Sequence, residues 1–248
     1  MALYDFSAPR LFLDAPLEAG EGVALDRGQA NYLLNVLRLK NGGSVLVFNG
    51  RDGEWRAEVA EAGRKAAALV PREQVRAQVP PGDLLYLFAP LKSARLDYMV
   101  QKAVEMGASA LKPVVTRHTQ VARVNRDRMR ANAVEAAEQC GILSIPEILP
   151  EEDLSRALGA LEPDRLLVFC DEDAAVANPV EALSDLRGHA GRIAVLVGPE
   201  GGFAAEERAL ALRHPRVARL SLGPRILRAD TAAVAALALV QAVLGDWR

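Results

Sequence analysis

From residue 84 onward, short apolar runs alternate with segments of helical period, and this alternation restricts the fold more than any other feature of the chain. Strands are expected at 84–89, 111–116, 165–170, 192–197 and 217–222. Helices are expected at 94–106, 125–140, 179–186, 204–213 and 229–247. In the first helix Leu96, Met99, Val100 and Ala103 share one face. Strands alternating with helices predict the α/β class, with a parallel sheet covered on both faces. The strand order does not follow from the pattern.

Residues 1–72 read differently. The run Ser44-Val45-Leu46-Val47-Phe48 leads into Asn49-Gly50, a hairpin-type turn signal, and 54–59 alternates polar and apolar residues. A helix is expected over 29–39, with Leu33, Leu34, Val36 and Leu37 covering one face and Arg38 and Lys40 closing it. Pro71, Pro80, Pro81 and Gly82 mark a boundary. The expected organisation is a small β-rich domain over 1–72, a linker over 73–82 and a larger domain over 83–248.

Composition excludes several classes. The chain has 248 residues, half of them hydrophobic, which is enough for a core without staples. Cys140 and Cys170 are too few and too far apart for a disulfide scaffold, and His118, His189 and His214 are scattered, so no metal site is expected. Residues 1–17 lack the apolar run of a signal peptide, and the apolar stretch 232–244 is too short to span a bilayer. A soluble, cytoplasmic protein is expected.

Two glycine loops carry the chemistry. The run Ile193-Ala194-Val195-Leu196-Val197 ends in Gly198-Pro199-Glu200-Gly201-Gly202-Phe203. Ligands of open α/β sheets bind at the carboxyl ends of strands, and glycines let backbone approach them closely. The spacing fits neither G-x-G-x-x-G nor a P-loop, and Glu200 would repel a phosphate. An acid there suits a cationic ligand without phosphate, such as S-adenosylmethionine; a tight turn with a solvated Glu200 is the structural alternative. The second loop is Leu220-Ser221-Leu222-Gly223-Pro224-Arg225-Ile226-Leu227-Arg228, followed by Asp230 and Thr231 as expected helix caps. The two loops are expected to form opposite walls of one cavity, with Leu220, Leu222, Ile226 and Leu227 as apolar cover. The helix that follows is apolar nearly all round, which predicts burial on all sides, within the core or against a second subunit.

Basic residues are clustered along the chain. Residues 112–130 hold six Lys or Arg against Asp127 alone, and 208–228 hold six Arg and no acid, in a chain of net charge -2. Such blocks are expected of a nucleic-acid partner, although a solvated face is the plainer explanation.

With these residues in view, the chain resembles the SPOUT family of 16S ribosomal RNA (uridine-N3)-methyltransferases. The likeness rests on Val36-Leu37-Arg38-Leu39-Lys40, Gln101-Lys102-Ala103-Val104-Glu105-Met106-Gly107, Glu135-Ala136-Ala137-Glu138-Gln139-Cys140-Gly141 and the two glycine loops in their order and separation. Ile142 and Leu143 stand where members often carry Arg.

The resemblance implies an N-terminal PUA-like β-barrel that grips RNA, and a C-terminal domain with a deep trefoil knot in roughly 190–248. It implies a homodimer acting on 16S rRNA in the assembled small subunit, without metal or membrane. S-adenosylmethionine would lie against Leu196, Val197, Gly198, Pro199, Glu200, Gly201, Gly202, Leu220, Ser221, Leu222, Gly223, Ile226, Leu227, Arg228 and Thr231. Uridine N3 must lose a proton before it attacks, so a base or a cation beside the base oxygens is needed. Arg228, Arg117 and Glu200 are the catalytic candidates, and a salt bridge from Arg228 to Glu200 or Asp230 is the competing structural role. Arg10, Arg38, Lys40, Lys92, Arg117 and Gln139 are the candidate RNA contacts. A nucleotide-dependent oxidoreductase and a non-catalytic RNA-binding protein are the alternatives.

Overall fold

The computed structural model describes residues 8–61, 67–175, 178–188 and 191–247. The start of the expected 1–72 domain, His189 and the first residue of the expected knot region lie outside the described residues. The chain divides into two compact units, Met1–Pro80 with Ala137–Ile145, and Pro81–Ala136 with Pro146–Arg248.

In the first unit the strands are β1 (Arg10–Phe12), β2 (Val23–Ala24), β3 (Ser44–Phe48), β4 (Glu54–Glu61) and β5 (Ala67–Arg76). Their order is β1-β3-β4-β5-β2, with β1 parallel to β3 and the other pairs antiparallel. Apolar residues at alternate positions (Val45 and Val47, Ala57 and Val59) point to one face, where Leu11, Leu13, Leu33 and Leu69 complete the core.

The short helix α1 (Arg27–Asn31) starts at Asp26, whose carboxylate accepts from Gln29 N at 2.8 Å while the Gln29 side chain caps Asp26 N in return. It continues as a wide turn over Tyr32–Val36, closed by Leu37 N donating to Tyr32 O at 2.9 Å. The helix expected over 29–39 therefore ends earlier. Arg38 takes a left-handed backbone, φ 56°, a conformation that non-glycine residues adopt at a cost.

The expected linker over 73–82 also needs correction. Strand β5 runs through Pro71 to Arg76, because Pro71 pairs opposite Ala57, beside an irregularity in the ladder where a missing N–H is tolerated. The 1–72 boundary also omits residues 137–145, which belong to the first unit.

Among the described residues of the second unit seven strands form parallel pairs: β6 (Leu84–Phe88), β7 (Ala110–Val115), β8 (Glu147–Ile148), β9 (Glu152–Asp153), β10 (Leu166–Cys170), β11 (Ile193–Val197) and β12 (Val217–Leu220). The order is β12-β10-β11-β6-β7-β8, with β9 pairing β7. The α/β class with a parallel sheet is thus as expected. The helices are α2 (Ser93–Glu105), α3 (Arg126–Cys140, whose residues from Ala137 belong to the first unit), α4 (Leu154–Gly159), α5 (Pro179–Ser184), α6 (Ala205–Ala211) and α7 (Ala229–Val243). Strand β11 is buried at every position, as a central parallel strand covered on both faces must be. Helix α7 packs against α2, α5 and β11. Leu87, Leu167, Phe169, Ala194 and Leu196 form the core with Leu154 and Leu158 of α4, a helix the sequence reading passed over.

Helix α7 is not buried on all sides within the chain. Ala232, Ala233, Ala236, Leu237, Val240 and Val243 are buried, but Thr231, Val234, Ala235, Ala238, Leu239 and Ala242 form a partly or fully exposed face. Among the described residues no helix is long and apolar enough to cross a membrane.

Candidate functional site

Strands β10, β11 and β12 are neighbours, and their carboxyl ends open on one cavity of about 540 Å³. Three loops line it: Cys170 to Glu172 after β10, Gly198 to Phe203 after β11, and Ser221 to Leu227 after β12. The two glycine loops are therefore brought together, but β10 lies between their strands and adds a third wall of Cys170, Asp171 and Glu172. An apolar strand ending in Cys-Asp-Glu-Asp was the available signal for it.

Each loop has a local reason for its course. A Cβ on Gly198 would stand 2.5 Å from the Phe203 ring, which packs edge-on against Phe169 at 5.1 Å between centroids. Gly223 turns at φ 97°, where a side chain would be strained. Asp171 is 3% exposed and is held from both sides, by Arg208 and by Arg219 Nε at 2.7 Å. Two guanidiniums thus fix the buried carboxylate and the loop that carries it. Burial, and then the neighbouring Asp171, push the Cys170 thiol up to about 12.

A second cavity, about 440 Å³, lies on the other side of the first glycine loop. It is lined by Lys92 and Arg95 at the start of α2, by His118 and Gln120 after β7, and by Pro199, Glu200 and Gly201. Pro199, Glu200 and Gly201 thus line both cavities. Arg95 forms an ion pair with Glu200, and its Nε lies 3.9 Å from Asp230 Oδ2. The loop after β7 is fastened to the glycine loop by His118 Nδ1, 3.1 Å from Gly202 O, and to α6 by Arg117 N donating to Glu207 Oε1 at 2.7 Å. Gly202 O is a carbonyl, so Nδ1 carries the proton in this contact.

Of the residues expected to bind the cofactor, Val197, Gly198, Pro199, Glu200, Gly201, Gly202, Leu220, Ser221, Leu222, Gly223, Ile226 and Leu227 line the first cavity. Leu196 does not: its side chain points into the core and is fully buried. Thr231 and Arg228 lie outside the lining, exposed at the start of α7. The helix has Arg228 as its N-cap, without a side-chain bond there, so Asp230 and Thr231 fall in the first turn, where Asp230 Oδ1 accepts from Thr231 N at 2.9 Å. The pairing expected of Arg228 with Glu200 or Asp230 is made by Arg95, which sequence reasoning missed.

The expected RNA contacts separate in the same way. Arg38, Lys40, Lys92, Arg117 and Gln139 are exposed. Arg10 is not, because its side chain is 9% exposed and pairs with Glu54 at 2.7 Å. It also donates to the carbonyls of Ala137 and Glu138 at 3.1 and 3.3 Å, which caps the end of α3. Burial lowers the Arg10 pKa, and Glu54 opposes that shift.

The basic blocks are partly neutralised in space. Arg128 pairs with Asp97, Lys112 with Glu152 at 2.7 Å, and Arg208 and Arg219 with Asp171. Acids distant in sequence return beside them, which a count along the chain cannot register. Arg117, Arg123, Arg126, Arg225 and Arg228 remain exposed.

Comparison with known proteins agrees with this architecture. Residues 25–71 match the family model of the RNA methyltransferase PUA domain. The small subunit ribosomal RNA methyltransferase E of Rickettsia conorii is 29% identical over 94% of this chain and 94% of its own length. The protein of that name from Mycobacterium tuberculosis is 29% identical over 95% of this chain and 92% of its own. The crystal structure of the Neisseria gonorrhoeae enzyme of that name, bound to S-adenosylmethionine, superimposes with a TM-score of 0.85 at 27% identity, covering 97% of this chain and all of that one. Residues 78–241, most of the chain, match the family model of the RNA methyltransferase domain, and the protein belongs to that family.

Proposed function

We propose that the protein transfers a methyl group from S-adenosylmethionine to N3 of a uridine in 16S ribosomal RNA of the small subunit. The observation that carries this reading is the cavity at the ends of β10, β11 and β12. Its size is that of a cofactor site, glycine backbone and leucine make up much of its wall, and Glu172 and Glu200 supply negative charge, with Arg225 as the cation in the lining. That donor set fits an adenosyl group with a sulfonium and an ammonium, and opposes a phosphate. The relatives named as small subunit ribosomal RNA methyltransferases and the S-adenosylmethionine-bound neighbour support the same choice.

When bound, S-adenosylmethionine supplies a methyl group already activated by the sulfonium. The chain's task is to hold adenosine against Leu220, Leu222 and Leu227, to orient the cationic groups with Glu200, and to present uridine N3 in line. Arg38, Lys40, Lys92, Arg117 and Gln139 are assigned to the RNA, and Arg228, exposed beside the second glycine loop, to the base or its phosphate. The exposed apolar face of α7 supports a homodimer, and fully exposed Ile226 supports a partner close to the cavity. The trefoil knot over roughly 190–248 and a cytoplasmic location belong to the same reading.

The test is incubation with labelled S-adenosylmethionine and small subunits that lack modification, followed by mapping of the labelled base. Label at uridine N3 is the expected result. Absence of transfer in a folded, donor-binding protein refutes the reading.

A further inference from the structure

We propose that Arg95 is a catalytic residue for the uridine half of the reaction: donor binding draws Glu200 away from it, and the released guanidinium stabilises the uridine anion in the second cavity. This rests on the uridine-N3 reading above.

Geometry separates the two tasks. Glu200 stands in the wall common to both cavities, whereas Arg95 lines only the second. The Arg95 charge is held by Glu200 and, more loosely, by Asp230 at 3.9 Å. Both members of the Arg95–Glu200 pair are more than a third exposed, so the pair is weak and separates at little cost. A ligand ammonium or sulfonium in the first cavity competes for the same carboxylate. Asp230, 16% exposed, keeps its position near Arg95 Nε and leaves the guanidinium tethered at the cavity rim. A planar fork of donors beside uracil O4 or O2 is suited to charge that develops as N3 ionises.

The step balances without a further reagent. The uridine N3–H bond breaks and its proton passes to water, leaving an anion shared by N3, O2 and O4. Arg95 pairs with that charge. N3 then forms its bond to the methyl carbon as the carbon–sulfur bond breaks, and the electron pair of that bond remains on sulfur as a neutral thioether.

The charged or titratable groups facing this space are Lys92 and Arg95 from α2, His118 from the loop after β7, Glu200 from the first glycine loop and Asp230 from α7. The experiment compares wild type, Arg95→Gln and Arg95→Lys, with Lys92→Gln and His118→Gln to assign any other titration. Turnover of unmodified small subunits is followed against pH, and S-adenosylmethionine binding is measured by calorimetry.

For Arg95→Gln, at least a tenfold fall in kcat is expected at neutral pH. The deficit shrinks as pH rises, because solvent then removes the proton whose loss Arg95 favours. Subunits carrying 5-fluorouridine, a more acidic base, recover part of the loss, and Arg95→Lys lies between. Donor affinity stays equal or tightens, since Glu200 is already free. A loss of equal size at every pH, or a weakening of donor binding that matches the loss of kcat, overturns the proposal. Failure of the underlying reading is seen separately, in wild type that does not methylate N3.

Discussion

Arg219 Nε lies 2.7 Å from Asp171 Oδ2, so the last residues of β12 hold the turn that follows β10. Arg208 of α6 takes the other oxygen of the same carboxylate. One buried acid therefore joins three elements around the first cavity.

Replacing Asp171 by Asn leaves two guanidiniums facing a neutral amide. Breaking a buried pair costs about 3 kcal/mol, so Asp171→Asn is expected to lower the unfolding free energy by that order. Because Asp171 lines the cavity, donor affinity should fall as well. Chemical denaturation and calorimetry measure the two effects, and a variant with wild-type values of both would deny the carboxylate its bracing role.

Arg10 gives a contrasting prediction in the first unit. Glu54 is 3% exposed and is gripped by Arg10 and by Arg76, whose Nε is 2.6 Å from Oε2. Arg76 also donates to Gly141 O at 2.9 Å. Arg10→Ala should destabilise the fold by about 3 kcal/mol, with any RNA-binding defect following from that. Unchanged thermal stability with a specific loss of RNA affinity would instead return Arg10 to the RNA surface.

Gly198 is a test of the cofactor cavity. A methyl group there meets the Phe203 ring at 2.5 Å, and Phe203 is braced by Phe169. Overpacking of this kind costs about 1–3 kcal/mol. Gly198→Ala should weaken S-adenosylmethionine binding by roughly tenfold, one decade per 1.4 kcal/mol.

The thiols should differ in reactivity. Cys140 is exposed, while burial and Asp171 push the Cys170 thiol up to about 12. The thiolate is the reactive form. Iodoacetamide at pH 8 should therefore label Cys140 first and half-buried Cys170 more slowly. Mass spectrometry of the modified peptides reads the order, and early Cys170 modification would contradict the raised thiol.

The exposed face of α7 predicts an assembly. Ala238→Glu places a charge among Val234, Ala235, Leu239 and Ala242 without touching the buried side of the helix. Sedimentation should show a dimer for wild type and a monomer for the variant, with far-ultraviolet circular dichroism unchanged. A wild-type monomer at working concentration would remove this face from the account.

Much of the fold is legible because periodicity is a local property. A continuous apolar run marks β3, apolar residues two apart mark β4, and the 3.6-residue stripe of Leu96, Met99, Val100 and Ala103 marks α2. The strands β1 and β9 are too short for any period to register. Strand β5 is hidden by Pro71, which an isolated reading takes as punctuation. The glycine loops are legible because their backbone demands exclude most other residues, as at Gly198 and Gly223.

From sequence alone came the α/β class, the two glycine loops, the acid within the first of them and the resemblance that joins them to RNA methylation. Only the tertiary structure decided which charges are spent and which are available. Arg10, Arg128, Arg208 and Arg219 are consumed by acids far away in the chain, and Arg95, unmarked by any motif, stands beside Glu200. Backbone preference is set by each residue and its neighbours, and so can be read along the chain. An ion pair is set by distance in space, which depends on how β10 comes to lie between β11 and β12.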